Sequence, residues 1–192
     1  MLPDYVLSTE SQYSRIIGAR GHAGLLTKDY EDGGIDIQDT SKGLLYQEWT
    51  ARISDDKTEI LISAKNKAEY TFLTGANITE VSLTFDQNMN PCVAYVENEI
   101  SKFYWFDASL PAYDTIIIDG STPKIFLDDK RFSQGANSDI LMFYLRNENL
   151  YHRMQRDRFL VEYLLASGVH SELISVVGMG KDWRVQIHLF IC

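Results

Sequence analysis

The 192-residue chain is long enough for one domain with a full hydrophobic core, and it needs no disulfide or metal staple to fold. Hydrophobic residues at 45% and charged residues at 23% exclude the disordered class. A net charge of −9 works against nucleic acid and anionic lipid as partners, and no apolar run is long enough for a membrane-spanning helix.

No basic stretch leads into an apolar run at the N-terminus, so a signal peptide is not expected. Cys92 and Cys192 build no disulfide framework, which suits folding in a reducing cytosol. Eleven Tyr, nine Phe and three Trp favour pleated sheets and protein interfaces. The charge is uneven: residues 131–192 hold seven Lys/Arg against six acids, so the first 130 residues carry −10. That acidic part would be relieved by a basic partner surface.

In chain order, residues 1–40 are interrupted by Gly18, Gly21, Gly24, Gly33 and Gly34 and read as an extended arm or an edge hairpin. From about residue 44 to 127, short β-rich runs alternate with turn residues. Leu45 to Ile53 and Thr58 to Ser63 flank Ser54-Asp55-Asp56-Lys57 as a hairpin. Ile78 to Phe85, Cys92 to Val96, Ile100 to Phe106 and Tyr113 to Ile118 come next. Their separators are rich in Asp, Asn, Pro and Gly, the pattern of an antiparallel meander. Asp139 to Arg146 and Leu150 to Gln155 flank another turn, Asn147-Glu148-Asn149. Arg158–Ala166 fits a short helix capped by Gly168 or a strand; its strand neighbours favour a strand. Trp183 to Ile191 alternates apolar and polar residues and predicts a last strand. The expected fold is all-β, with antiparallel meander or sandwich-like sheets and a short C-terminal helix as the one helical alternative. Residues 1–192 form one β-rich domain, with 1–40 as the arm and 139–192 as a C-terminal β sub-region.

Few residues combine into recognisable chemistry. Gly18-Ala-Arg-Gly21-His-Ala-Gly24 lacks the Gly-Lys-Ser/Thr ending of a phosphate loop and the spacing of a dinucleotide site. Asp86-x-Asn88-x-Asn90 with Glu97 at the twelfth position echoes a calcium loop, but Pro91 stands where the sharp turn requires Gly. A turn rich in Asn and Asp explains it better. His22, His152, His170 and His188 have no ligand spacing, and Cys92 sits in an apolar run as a small buried hydrophobe. The acid pairs Asp55/Asp56, Glu97/Glu99 and Asp128/Asp129 are expected in turns. The most distinctive polar cluster is Arg153-Met-Gln-Arg156-Asp157-Arg158, read as a structural set whose guanidinium groups pair with Asp128, Asp129 or Glu162.

Two stretches carry a resemblance. One runs from Thr84-Phe85-Asp86-Gln87-Asn88-Met89-Asn90-Pro91 to Pro123 through Arg131. The other is Leu150-Tyr151-His152-Arg153-Met154-Gln155-Arg156-Asp157-Arg158-Phe159, with Gly178-Met179-Gly180 and Arg184-Val185-Gln186 beyond it. Together they resemble small structural proteins of tailed-bacteriophage virions, from the tail or head–tail region. The resemblance brings no catalytic residues. It implies a non-enzymatic virion subunit, assembled in the host cytoplasm, whose partners are other virion proteins and copies of itself. No cofactor, metal, nucleic acid, membrane or small-molecule substrate is expected. The competing reading is a receptor- or carbohydrate-binding β-domain using Trp105, Tyr104 or Trp183 as a stacking platform. A hydrolase with a site dispersed over loops comes third.

Overall fold

The computed structural model describes residues 7–9, 13–16, 49–64, 67–86, 88, 90–128, 139–169, 171–177 and 186–191. For residues 7–9, 13–16, 64, 128, 171–177 and 186–191 it describes the backbone alone. The chain is all-β and its described strands pair antiparallel throughout. The first sheet holds β1 (Leu7–Thr9), β2 (Tyr13–Ile16), β3 (Trp49–Ile53), β4 (Glu59–Ala64) and β5 (Tyr70–Thr74). The second holds β6 (Ile78–Phe85), β7 (Pro91–Glu97), β8 (Ile100–Asp107) and β9 (Ala112–Ile118). The third holds β10 (Ser121–Asp128), β11 (Asp139–Arg146), β12 (Asn149–Met154) and β13 (Tyr163–Ser167), and β14 (Ser171–Val177) pairs with β15 (Gln186–Ile191). Within each sheet the strands follow chain order, so pairing needs only local loop closure.

The second sheet is the middle layer. Along β7, Val93 and Tyr95 enter the core shared with the first sheet, while Cys92 and Ala94 enter the core shared with the third. Trp49, Ala51 and Ile53 of β3 and Ile60 and Ile62 of β4 supply the opposing face of the first core by strict alternation. Phe103 and Trp105 of β8 meet Ile125, Leu127, Ile140, Met142 and Tyr144 in the second. Polar links also join the layers. The Ile125 N–H donates to Ser82 Oγ at 3.2 Å, and buried Lys124 lies 3.5 Å from Glu80. Between β9 and β10 the chain steps from one sheet to the next at Asp119-Gly120. A Cβ on Gly120 would stand 2.5 Å from Tyr144 Cδ2 and 2.7 Å from the Leu145 carbonyl oxygen, so the corner requires glycine.

Ile78–Phe85 and Asp139–Arg146 have the ends expected from the sequence. Three strands were not expected: β5, β10 and β14. Pro123 argues against β10 as a strand, yet the β10–β11 register jumps between Ser121 and Lys124, and this irregularity accommodates the missing donor. Pro91 likewise opens β7. In the N-terminal region, β1 and β2 form a hairpin whose second strand joins β3, while Gly18, Gly21, Gly24, Gly33 and Gly34 lie outside the described residues. Arg158–Ala166 becomes a turn followed by strand β13, preceded by a single 3₁₀ turn at Gln155–Asp157, and not an α-helix. In the last predicted strand, residues 186–191 are strand and 183–185 lie outside the described residues.

Two hairpins use the same dipeptide. Asn98-Glu99 joins β7 to β8 with φ of 49° and 65°, and Asn147-Glu148 joins β11 to β12 with φ of 50° and 59°. Left-handed geometry at both positions matches the twist of the flanking strands, but glutamate is strained there. Glu99→Gly is expected to stabilise the fold by about 1 kcal/mol, the relieved strain exceeding the added chain entropy. A higher urea midpoint with an unchanged slope is the expected result.

Candidate functional site

The arginine cluster singled out in the sequence occupies the end of β12 and its connection to β13. Met154 is extended, the chain then closes one 3₁₀ turn, and Arg158 and Phe159 come next with φ of 51° and 58°. Two successive non-glycine residues in the left-handed region cost about 1–3 kcal/mol each, so surrounding contacts have to hold them. Backbone hydrogen bonds do part of this: Arg158 N–H to Gln155 O (2.8 Å), Phe159 N–H to Met154 O (3.0 Å) and Leu160 N–H to Asp157 O (3.0 Å). The reversal aims Phe159 inward, where its buried ring meets Phe103 and Trp105 edge-on at centroid distances of 4.8 and 5.0 Å. A residue of the β12–β13 connection thereby becomes part of the core between the second and third sheets.

Each arginine has a carboxylate partner. The Arg156 guanidinium binds Asp139, whose second oxygen accepts the Arg156 N–H at 2.9 Å. Arg158 donates to Asp107 at 2.5 Å, tying this connection to β8 in the middle layer. The other oxygen of Asp107 accepts the Ser109 hydroxyl and N–H at 2.7 and 2.8 Å. The Ser109 hydroxyl, with Arg158 beside it, holds that carboxyl below its usual range despite burial. Arg153 donates to Tyr144 Oη at 2.9 Å, to the Phe159 carbonyl at 3.3 Å and to Glu162 at 3.3 Å. Glu162 also accepts the Tyr144 hydroxyl and Arg146, the latter at 2.5 Å, while Arg146 lies 4.5 Å over the Tyr151 ring.

Of the expected partners, the structure brings Glu162 to Arg153. Arg156 and Arg158 turn instead to Asp139 and Asp107. The Asp128 side chain and Asp129 lie outside the described residues. Asp107 had a legible signal: along β8 it continues the inward series Ser101, Phe103, Trp105, and an acid on a core-facing row demands a cation or strong donors. The chain separation of 51 residues hid which cation would come.

Beside this network lies a half-open cleft of about 310 Å³, lined by Trp105, Asp114 and Ile116 from β8 and β9 and by Arg153, Arg158, Phe159 and Leu160 opposite. It opens between edge strand β9 and the approach to edge strand β13. Its rim carries exposed Asp114 and Arg158 together with Leu160, which is 81% exposed. The exposure continues through Val161, Tyr163, Leu164 (55%) and Leu165, so both faces of β13 meet solvent. Trp105 is only 4% exposed, and its indole N–H has no hydrogen-bond partner.

The other sequence candidates resolve into structure. Asp86 accepts the Asn88 and Asn90 N–H groups and Asn90 Nδ2, each at 2.8 Å, as a turn-capping carboxylate. Glu97 lies at the far end of β7, where it holds Lys102 and the Ala76 N–H. Six residues of strand rise put the two ends of β7 about 20 Å apart, too far for one ion to bridge Asp86 and Glu97. Asp56 accepts Ser54 Oγ within its turn. Cys92 is fully buried, and burial pushes its thiol well up, so it packs as a hydrophobe. His152 stacks between Phe143 and Tyr163, and burial pushes its pKa down. Among the described residues no three His, Cys, Asp or Glu side chains converge as a metal site. Buried Trp105 offers no exposed stacking face; Tyr104 is half-buried, stacked on Tyr113 at 4.7 Å, and Trp183 lies outside the described residues.

This network has two measurable consequences. Phe159→Ala leaves a cavity between two sheets and is expected to cost about 3–5 kcal/mol, read as a lower denaturant midpoint. The second concerns acid. Burial raises the Glu162 carboxyl, but hydrogen bonds from Tyr144, Arg146 and Arg153 outweigh it and hold the group below its ordinary value. Its stabilisation is therefore complete above the unfolded pKa of about 4.3 and is lost as pH falls through the lower folded value. Melting temperature should drop below about pH 4.5, and Glu162→Gln should lower stability at neutral pH while flattening that acid dependence.

No protein-family model, curated protein or solved structure matches this chain.

Proposed function

We propose that this protein is a non-enzymatic structural subunit that works by packing into a larger assembly, a tailed-phage virion in the reading its sequence resemblance suggests. The observation that carries the assembly reading is β13. A strand reading Tyr-Leu-Leu-Ala-Ser is exposed on both faces at the edge of its sheet, with Leu160 and Val161 exposed just before it. Contiguous apolar surface of this kind marks a contact site more often than a free surface. Behind it, the residues best placed for chemistry are already engaged. Arg153, Arg156 and Arg158 are paired with acids, and they brace the loop that presents the strand. Virion proteins and copies of itself are the partners this reading implies, with assembly in the host cytoplasm.

The alternative, a receptor- or carbohydrate-binding β-domain, draws on the half-buried rings Phe72, Tyr104, Phe106 and Tyr113, which pack on one another beside 46%-exposed Tyr70. Glycan binding lost in Tyr104→Ala would favour it.

The assembly reading is tested by producing the chain together with the proteins encoded beside it and fractionating the particles. Incorporation of the wild type, reduced in a folded Leu164→Lys variant, is expected. A wild-type chain that stays free in every such mixture overturns the reading.

A further inference from the structure

We propose that the stack of Phe143, His152 and Tyr163 is an acid-sensitive contact: a proton taken up by His152 loosens edge strand β13 from β12. The inference is independent of the assembly reading and concerns the free chain.

One row of side chains crosses the third sheet. The register places Lys124 opposite Phe143, Phe143 opposite His152 and His152 opposite Tyr163. The imidazole lies between the two aromatic rings, with centroids 6.0 Å from Phe143 and 5.0 Å from Tyr163 and interplanar angles of 30° and 23°. Its Nδ1 is buried and has no hydrogen-bond partner. A neutral imidazole donates from one nitrogen, whereas the cation donates from both. The protonated ring therefore carries an N–H at Nδ1 where no acceptor receives it, and a charge that water reaches poorly.

The surroundings offer the cation little. By strand alternation Leu150 and Met154 share the face of His152 on β12, and β11 presents Phe143 between Leu141 and Leu145. β13 presents Tyr163, whose hydroxyl donates to Asp157 at 3.0 Å, with Arg156 nearby. Lys124, at the far end of the row beside Glu80, adds a like charge. Arg153 and Tyr151 lie on the opposite face of β12. The faces of Phe143 and Tyr163 attract a cation, but burial outweighs them and pushes the His152 pKa down. The contribution to stability is therefore complete above the unfolded value of about 6.5 and is lost as pH falls from there to the lower folded value. This window lies above the one in which Glu162 takes up its proton. The response falls on β13 because, among the described strands, β13 pairs with β12 alone and Tyr163 is already 36% exposed. Swinging Tyr163 away uncovers the imidazole to water without opening either core.

The test joins a proton titration to amide exchange on the purified full-length chain. The His152 ring, assigned by nuclear magnetic resonance through the signal missing in His152→Phe, should titrate below the ordinary histidine value. Hydrogen exchange of the Tyr163–Ser167 amides, corrected for the intrinsic effect of pH, should show protection falling by about threefold or more between pH 7.5 and pH 5, since each pH unit in this window is worth up to tenfold. In His152→Phe, which keeps a ring in the stack and takes up no proton, that protection should stay level. His152→Gln supplies the same readout if phenylalanine disturbs the fold, and the wild-type titration needs no variant at all. A His152 that titrates at or above the ordinary value overturns the inference. So does β13 protection that is equal at the two pH values, or that falls as far in the uncharged variants as in the wild type.

Discussion

β7 has no face to give to water. Its odd-numbered residues Val93 and Tyr95 belong to one core and its even-numbered Cys92 and Ala94 to the other, so the second sheet can exist only with a sheet on each side. That constraint explains the near-continuous apolar run at Pro91–Val96, the signature of a strand buried on both faces. It also bears on the polar groups of the middle layer. The Trp105 indole N–H has no partner, but several others are bound internally. Ser82 takes the Ile125 N–H, Ser101 donates to the Gly120 carbonyl, Asp86 caps its own turn, and Asp107 holds Ser109 and Arg158. A polar group there without a partner would cost a few kcal/mol, comparable with a sizeable fraction of a domain's net stability.

The β12–β13 connection solves a problem this layering creates. Two stacked sheets leave an open mouth at their edges, and Phe159 fills it from the third sheet's side, against Phe103 and Trp105 of the second. Reaching inward from a connection requires the left-handed pair Arg158-Phe159, and the arginines secure that strained path at three points: Asp139, Asp107 and Glu162. Local backbone strain, an aromatic plug and three ion pairs are thus one structural unit. Because Asp107 and Glu162 are both held below the ordinary carboxylate range, acid should loosen this unit.

The same unit sets where β13 lies. Glu162, bound by Arg146, Arg153 and Tyr144, fixes the residue before the strand, and from there β13 extends outward with its leucines in solvent. The strand's exposed side chains thus rise from a base that hydrogen bonds and ion pairs hold in place.

Much of the architecture was legible in the chain itself, for a physical reason: period-two alternation and turn chemistry are local. Trp49, Ala51 and Ile53 mark an inward face, and Asp-, Asn- and Gly-bearing separators mark the hairpins, so the antiparallel all-β class and most strand positions follow from neighbouring residues alone. β10 escaped because Pro123 contradicts the local rule, and only pairing with β11 shows that an irregularity absorbs it. The arginine cluster was visible as a structural set, and Glu162, nine residues from Arg153, was within reach of a sequence argument. Asp139 and Asp107 were not, because ion pairing depends on distance in space, and the stacking of the third sheet on the second brings Arg158 to an acid 51 residues earlier. The exposure of β13 is likewise invisible in its letters: Tyr-Leu-Leu-Ala-Ser reads like core, and whether such a strand is buried or left at an edge is decided by which sheet runs out of neighbours.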